Sequence, residues 1–411
     1  MNEMAKSRAF RCVLFVGGWV SVAGCGDGRT AAAATVVSFD TVAGIVYVRN
    51  SGVPERWQLV ERRVLGSSVV EGQPADDEFG RITGVLGDAA GRTYVADANA
   101  VEVRVFDDAG VHVGRIGTEG AGPGEFRTPQ SIGWLGDTLA VLDPGNARLG
   151  LFDRTGQWLG HRQYLALSGS GIRLHGTAPG ELYMPFIGQL GERRGLVWVR
   201  QTPAGVADTL DADLLRAGAA ATASELRERA SRLAVVCTHS AGRGLSVYSA
   251  DLAPRPLIVP APGALRAAAW SAEYRIAFVD AAGDTVRVIE RDVSRSPLSD
   301  AAWADEERRF EEFLDQFTDE SCDPRSLPRP ATPRMLLGIH FDDAGRTWIE
   351  RETEAGRMFD VYSTDGRLLA ELDAPARLDR VPPYTGHGRL YIVTTDSLDI
   401  EYVRVYDIVS G

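Results

Sequence analysis

The chain has 411 residues, 44% hydrophobic and 24% charged, with 45 Gly, 20 Pro and 8% aromatic side chains, a composition that excludes a disordered or collagen-like polymer. The 44 Lys and Arg stand against 56 Asp and Glu, for a net charge of −12, so the chain offers no basic face of the kind phosphate backbones require and nucleic acid is not a partner. The length admits two or three ordinary domains or one large closed β architecture, and repeats decide between them.

Residues 1–24 read as an export signal. Lys6, Arg8 and Arg11 precede the apolar stretch Cys12-Val-Leu-Phe-Val-Gly-Gly-Trp-Val-Ser-Val22. A basic start followed by about ten apolar residues is a secretory pattern, whereas a spanning helix needs roughly 20. Val22-Ala-Gly-Cys25 follows directly. These small residues before a cysteine resemble the lipobox of bacterial lipoproteins, and the resemblance implies that Cys25 carries lipid and becomes the first residue of the mature chain. The expected location is therefore the bacterial cell envelope, on the periplasmic or outer-membrane face, with the membrane as a partner through the anchor. Residues 25–40 are expected to be a linker, and 41–411 one folded domain. Lys6 is the only lysine, and the wealth of Arg, Ala and Gly reads as coding bias rather than as a ligand signal.

A repeat runs through this domain. Val95-Ala-Asp97 recurs 46 residues on as Val141-Leu-Asp143, Val105-Phe-Asp107 as Leu151-Phe-Asp153, and Gly110 as Gly156. Asp88-Ala-Ala-Gly-Arg-Thr-Tyr-Val95 is echoed by Asp342-Asp-Ala-Gly-Arg-Thr-Trp-Ile349. Each copy consists of short β-branched and aromatic runs separated by Asp and Gly turns, the pattern of a strand meander. Repeats of about 40 to 50 residues with four strands each predict a β-propeller.

Ile116-Gly-Thr-Glu-Gly-Ala-Gly-Pro-Gly-Glu-Phe-Arg-Thr-Pro129, then Leu139-Ala-Val-Leu-Asp-Pro-Gly-Asn-Ala-Arg-Leu-Gly-Leu-Phe-Asp153 and Gly156, is similar to the NHL-repeat signature. The similarity is strong over 82–163, moderate over 335–373 and weak between, and it implies six blades. In blade 82–116, Ala98-Asn-Ala-Val-Glu102 replaces the expected turn. Gly120, Gly122 and Gly124 are expected to let the chain cross between blades. Asp97 and Asp143 are expected to cap turns, and Phe106 and Phe152 to fill the space between blades. Central hairpins are expected near Tyr94 and Val105, Leu139 and Leu151, Leu182 and Val197, Val235 and Val247, Ile276 and Val288, Trp348 and Val361, and Tyr391 and Val405, one more than six blades need. Gly44 to Arg49 and Trp57 to Val60 are expected to join the C-terminal Leu390 to Tyr406 in one blade, closing the ring and removing open edges.

Two insertions, at about 210–232 and 299–330, break the period. The first suggests a helix around Ser224 to Leu233. In the second, Trp303, Phe310, Phe313, Leu314 and Phe317 fall at helical spacing, opposite Asp305, Glu306, Glu307, Glu311 and Glu312, with Ser299 or Asp300 as the N-cap. Such a helix either packs on the ring or forms a lid or docking surface at the channel. Cys12 leaves with the signal and Cys25 takes lipid, so Cys237 and Cys322 remain as a disulfide pair suited to an oxidising compartment.

Chemistry is sparse in the linear sequence. His112, His161, His175, His239, His340 and His387 lie on different blades, with no His-x-x-x-His spacing. Neither Asp76-Asp-Glu78 nor Asp319 to Asp323 has the alternating oxygen ligands and Gly of a calcium loop. Gly242 to Ser246 lacks the second Gly of a nucleophile elbow, and no dinucleotide or phosphate-loop fingerprint is present. No catalytic residue, metal ligand or cofactor is assigned. The favoured expectation is a lipid-anchored binding or scaffold module for a protein, peptide or glycan; the alternative is a hydrolase or lyase with a metal-assisted site at the central channel.

Overall fold

The computed structural model describes residues 35–66, 76–164, 173–190, 193–211, 223–239, 245–295, 297–315, 320–324, 326–375 and 381–410. The chain opens with β1 (Val36–Val42), β2 (Ile45–Ser51), β3 (Glu55–Arg56) and β4 (Gln58–Leu65). Blade 1 follows as β5 (Ile82–Gly87), β6 (Thr93–Asp97), β7 (Glu102–Phe106) and β8 (His112–Ile116). Blade 2 is β9 (Ser131–Leu135), β10 (Thr138–Asp143), β11 (Arg148–Phe152) and β12 (Trp158–Gln163). Blade 3 is β13 (His175–Ala178), β14 (Glu181–Leu190), β15 (Arg193–Thr202) and β16 (Gly205–Asp211). Helix α1 (Ala223–Ser231) and the hairpin β17 (Ala234–His239) and β18 (Leu245–Ser249) then interrupt the ring. Blade 4 is β19 (Pro256–Ala261), β20 (Leu265–Trp270), β21 (Arg275–Val279) and β22 (Thr285–Arg291). A second interruption holds α2 (Asp300–Asp315) and β23 (Glu320–Asp323). Blade 5 is β24 (Leu336–Phe341), β25 (Thr347–Thr353), β26 (Gly356–Tyr362) and β27 (Leu368–Asp373), and blade 6 is β28 (Tyr384–Gly386), β29 (Arg389–Thr395) and β30 (Glu401–Val409).

The fold is thus an all-β propeller with six blades and, among the described residues, two α-helices. Its repeats are legible in their hydrogen bonds. Asp88 Oδ1 accepts from the backbone N–H of Ala90 and Arg92, while Oδ2 takes Arg92 Nε at 2.8 Å and the Tyr94 hydroxyl at 3.1 Å. Asp342 repeats this arrangement with Ala344, Arg346 and Trp348. A short carboxylate at this place satisfies the turn between the first two strands and pins the second strand to it. Asp97 accepts from the N–H groups of Gly80, Arg81, Asn99 and Ala100, so it holds the approach to β5 as well as its own turn. Asp143 does the same for Arg127 and Thr128 ahead of β9.

The core lies between blades. Phe152 is buried with Tyr94, Val105, Ile116 and Phe126 in the cluster joining blades 1 and 2, and Phe106 is buried with Tyr391, Val403 and Val405 between blades 6 and 1. Each such side chain contributes roughly 1.5 to 3 kcal/mol by burial. Of the three linker glycines, Gly120 and Gly124 take positive φ, +156° and +81°, and Gly122 does not.

Three expectations about the strands are corrected. The hairpin at Val235 and Val247 is not a blade: β18, β17 and β23 form a separate three-stranded sheet. The N-terminal strands do not all enter the closing blade either. β4 pairs antiparallel with β30 and completes blade 6, but β2 lies parallel to β22 on the rim of blade 4 and β3 parallel to β27 on blade 5. Every outer strand presents the same unpaired edge, so alternation alone does not say which blade a rim strand covers. β1 starts at Val36, so 36–40 is strand and not linker. Asn50 ties the strap across two blades, donating Nδ2 to the Gly366 carbonyl at 3.1 Å and accepting the Leu368 N–H at 2.8 Å.

The inserted elements form one module. Ser299 Oγ accepts from Ala302 N–H at 3.1 Å, which makes it the N-cap of α2. Trp303 and Phe310 are buried against Val235, Cys237 and Tyr248, with Phe313 and Leu314 half-buried beside them; Phe317 lies outside the described residues. Glu306, expected on the wet face, is fully buried and accepts from the N–H groups of Asp251 and Leu252 at 3.1 and 3.0 Å, while Arg309 lies 2.8 Å away. Cys237 and Cys322 face each other across β17 and β23, their sulfurs joined at 2.11 Å. Helix α1 docks on blade 4, where the Arg229 guanidinium sits 4.5 Å over the Trp270 ring and pairs with Glu273 at 2.9 Å.

Candidate active or binding site at the propeller axis

The first strand of each blade lines the axis, and a cavity of about 360 Å³ runs between them. All six inner strands contribute: Val85 from β5, Ile132 from β9, His175 from β13, Val259 from β19, Ile339 and His340 from β24, and Tyr384 and Thr385 from β28. The strands are held in place by small hydroxyls. Thr83 donates to the Pro129 carbonyl at 2.7 Å, linking blades 1 and 2, and Ser131 Oγ accepts the Leu174 N–H at 3.1 Å, linking blades 2 and 3. β13 approaches β24 as well as its neighbour β19, so blades 3 and 5 come together across the axis.

Two polar groups mark the two ends. At the end where the chain enters the inner strands, Arg173 precedes β13 and lines the cavity with Pro382 and Pro383. Its Nη1 is buried without a hydrogen-bond partner, and among the described residues no carboxylate is paired with it. Burial, and then neighbouring Arg81, disfavour its charge. His175 is pushed down to about 4, chiefly by burial, then by His340 and by Arg173, so it is neutral at physiological pH. Its ring stands edge-on to Trp198, centroids 6.4 Å apart. His340 Nε2 is buried without a hydrogen-bond partner, 3.9 Å from Glu350 Oε2, and Glu350 in turn accepts from Arg357 at 3.2 Å.

At the opposite end the charges are paired. The His387 N–H donates to Asp343 Oδ2 at 2.7 Å, and its Nδ1 lies 3.3 Å from the same oxygen. His387 holds φ at +55°, a conformation that non-glycine residues seldom adopt. Burial, then Asp343 and Tyr391, push the Tyr384 hydroxyl well up. Arg154 stacks 4.6 Å over Trp134 and reaches Asp137 at 2.9 Å and Asp88 at 3.6 Å.

Of the six histidines, His175, His340 and His387 therefore converge on the axis. His112 sits on β8 against Asp76 at 3.5 Å, His161 stacks on Trp158 in β12, and His239 ends β17. Asp76 is also paired with Arg115 at 2.9 Å, while Gly242 to Gly244 and Asp319 lie outside the described residues. Among the described residues no group of three or more His, Cys, Asp or Glu side chains is placed to hold a metal ion, and no helix is long and apolar enough to cross a membrane. Cys25 lies outside the described residues. Sequence reasoning missed Arg173, and the only signal was positional: Arg81, Arg173, Arg255 and Arg334 all stand within two residues of an inner strand.

The fold and its axial cavity define a six-bladed propeller with an internal polar site. A family model described as a 6-bladed beta-propeller matches residues 76–168, the stretch that carries blades 1 and 2. No curated protein sequence matches the chain. Among solved structures, the chain is similar to a protein of Bacteroides fragilis described as exported, at 10% identity and a TM-score of 0.40, covering 92% of this chain and 97% of that one. It is similar to a member of the duf4221 family from Bacteroides vulgatus, at 11% identity and a TM-score of 0.40, covering 87% and 100%. A third similarity is to virginiamycin B lyase from Staphylococcus aureus, at 10% identity and a TM-score of 0.35, covering 79% and 94%. The blade count rests on the strands themselves.

Proposed function

We propose that this chain is a ligand-binding propeller of the bacterial envelope, carried on a lipid at Cys25 and receiving a small molecule, or the end of a peptide or glycan, in its axial cavity. The observation that carries this reading is the convergence of all six inner strands on one cavity that gathers Arg173, His175 and His340 from distant parts of the chain. A concave, mostly apolar space with a few converging polar groups is the usual form of a small-ligand site. The NHL-like repeat supplies the scaffold, and the module of α1, β17, β18, α2 and β23 rises from the same connections, between an outer strand and the next inner strand, that carry Arg173. The module therefore flanks the mouth of the site rather than forming it.

A second reading, acid–base catalysis, draws on the Asp343–His387 pair, since a carboxylate on Nδ1 fixes the tautomer that leaves Nε2 as a base. A ligand screen by thermal shift on the wild-type protein and on Gly176→Trp tests the proposal. Gly176 lines the cavity and a Cβ there meets nothing within 4 Å, so the strand accepts a side chain at this position and a large one is expected to take up cavity space. Ligands that stabilise the wild type and not the variant support the axial site; ligands that stabilise both equally place binding elsewhere. Labelling with a radioactive fatty acid, lost in Cys25→Ser, tests the anchor.

A further inference from the structure

We infer that the axial cavity takes a monocarboxylate with an apolar body, its carboxylate seated on Arg173 between His175 and His340. This rests on the axial cavity being the binding site. Arg173 is the cavity's one cation with no hydrogen bond or ion pair to a described residue, and it has a buried Nη1 without an acceptor. The other charged groups of the lining have partners: Arg154 has Asp137 and Asp88, Asp343 accepts the main-chain N–H of His387, and Asp342 has Arg346 and the Trp348 indole. A guanidinium nitrogen removed from water without an acceptor is costly, and a carboxylate answers that deficit together with the unpaired charge because its two oxygens match the guanidinium fork.

The neighbouring His175 limits how much negative charge the site can accept. His175 stands neutral in its buried position, and His340 presents a buried Nε2 to which no described group is hydrogen-bonded. Neutral His175 can offer a hydrogen bond to the carboxylate without adding a second full positive charge. One guanidinium therefore balances one negative charge, and a phosphate dianion would leave charge uncompensated. Beyond this polar end the walls are apolar and aromatic: Val85, Ile132, Trp134, Ile339 and Phe341. Arg81, exposed near Arg173, favours approach of an anion through the same mouth.

The test pairs acids with their amides. Isothermal titration of the full chain, extracted in mild detergent, uses benzoate, 4-phenylbutyrate and N-acetylphenylalanine, each against its primary amide and against phenyl phosphate. At least one acid is expected to bind tenfold or more tightly than its amide and than phenyl phosphate. Arg173→Gln is expected to weaken acid binding far more than amide binding and so remove that preference, Arg173→Lys to keep part of it, and Gly176→Trp to abolish binding of acid and amide alike. Equal binding of acid and amide, a preference that survives Arg173→Gln, tighter binding of phenyl phosphate, or no binding of any acid would each overturn the carboxylate assignment. The two readings fail separately. If neutral compounds bind and Gly176→Trp blocks them, the axial site stands and only the carboxylate falls; if Gly176→Trp changes nothing for any ligand, the axial site itself falls.

Discussion

His340 on β24 disfavours a proton on His175 of β13, although the two strands belong to blades 3 and 5. Burial is the larger cause and Arg173 adds to it, so His175 protonates only near pH 4 when folded, against its ordinary 6.5 when unfolded. Between those values the unfolded chain binds more protons, and stability falls as the pH falls. The contribution is fully present above about 6.5 and lost below about 4. The full shift corresponds to about 3 kcal/mol, an upper bound because water in the cavity screens part of it. The charged groups around the pair are Arg173, Arg81 and, beside His340, Glu350 with Arg357. Carboxylates held low by their partners, such as Asp88 and Glu371, lose their contribution at more acid pH. Urea unfolding of wild type and His175→Gln is expected to differ by a term that changes by about 1 to 3 kcal/mol between pH 7 and pH 4.5. Parallel stability curves for the two proteins would rule this out.

Glu306 gives a second prediction. Its carboxylate accepts two main-chain N–H groups just past the end of β18, so Glu306→Ala leaves two donors and Arg309 without their acceptor. Unsatisfied partners of a buried charge cost about 2 to 4 kcal/mol. The loss is expected within the module, as faster hydrogen exchange of the Asp251 and Leu252 amides, with blade 1 amides unchanged. Glu306→Gln keeps one acceptor oxygen and should show a smaller effect. Uniform acceleration across all blades would mean that the module and ring unfold as one.

These two cases mark how far the sequence is readable. Asp88 and Asp342 announce their blades because their partners lie within six residues, in Arg92 and Tyr94 or Arg346 and Trp348, so the whole device appears in one linear window. Phe106 and Phe152 are legible for the same reason, through alternation in a short strand. Glu306 is not, because the N–H groups that donate to it lie 55 and 54 residues away and helical periodicity sorts it with the solvated face. The axial site is less legible still: Arg173, His175, His340 and His387 meet only through ring closure, which no local pattern encodes. The small sheet of β17, β18 and β23 carries the same hairpin alternation as a blade, and only its pairing with β23 across the ring's interruption separates it from one.

The bond between Cys237 and Cys322 closes a separation of 85 residues that contains the whole of blade 4. Loop closure of that length is worth on the order of 4 kcal/mol through the unfolded chain. Replacing both cysteines by alanine is expected to expose cleavage sites around residues 299 to 325, because α2 would then be held by non-covalent contacts alone, those of Trp303, Phe310 and Glu306 among them. The fragments should remain associated with the ring. Limited proteolysis under oxidising and reducing conditions reads this directly, and an identical digestion pattern in both would show that the apolar stripe alone fixes the module.

The N-terminal strap should stabilise the ring unequally along its length. β4 supplies the outer strand of blade 6 and brings Leu65 into the core with Tyr391, Val403 and Val405, whereas β1 and β2 add a hairpin to a blade 4 that already has four strands. Leu65→Ala therefore opens a cavity at the join of the chain's two ends and is expected to cost about 2 to 4 kcal/mol. Deleting residues 36–51 removes the largely exposed β1, the half-buried β2 with its buried Val48, and the two Asn50 bridges, but leaves blades 4 and 5 their own four strands, so the expected loss is smaller than that of opening the closing blade and confined to blades 4 and 5. Thermal unfolding followed by near-ultraviolet circular dichroism should show a single transition shifted down for Leu65→Ala, because breaking the closing blade weakens every interblade contact that depends on a complete ring. If the deletion proves the more damaging of the two, closure is carried by the strap on blade 4 rather than by β4.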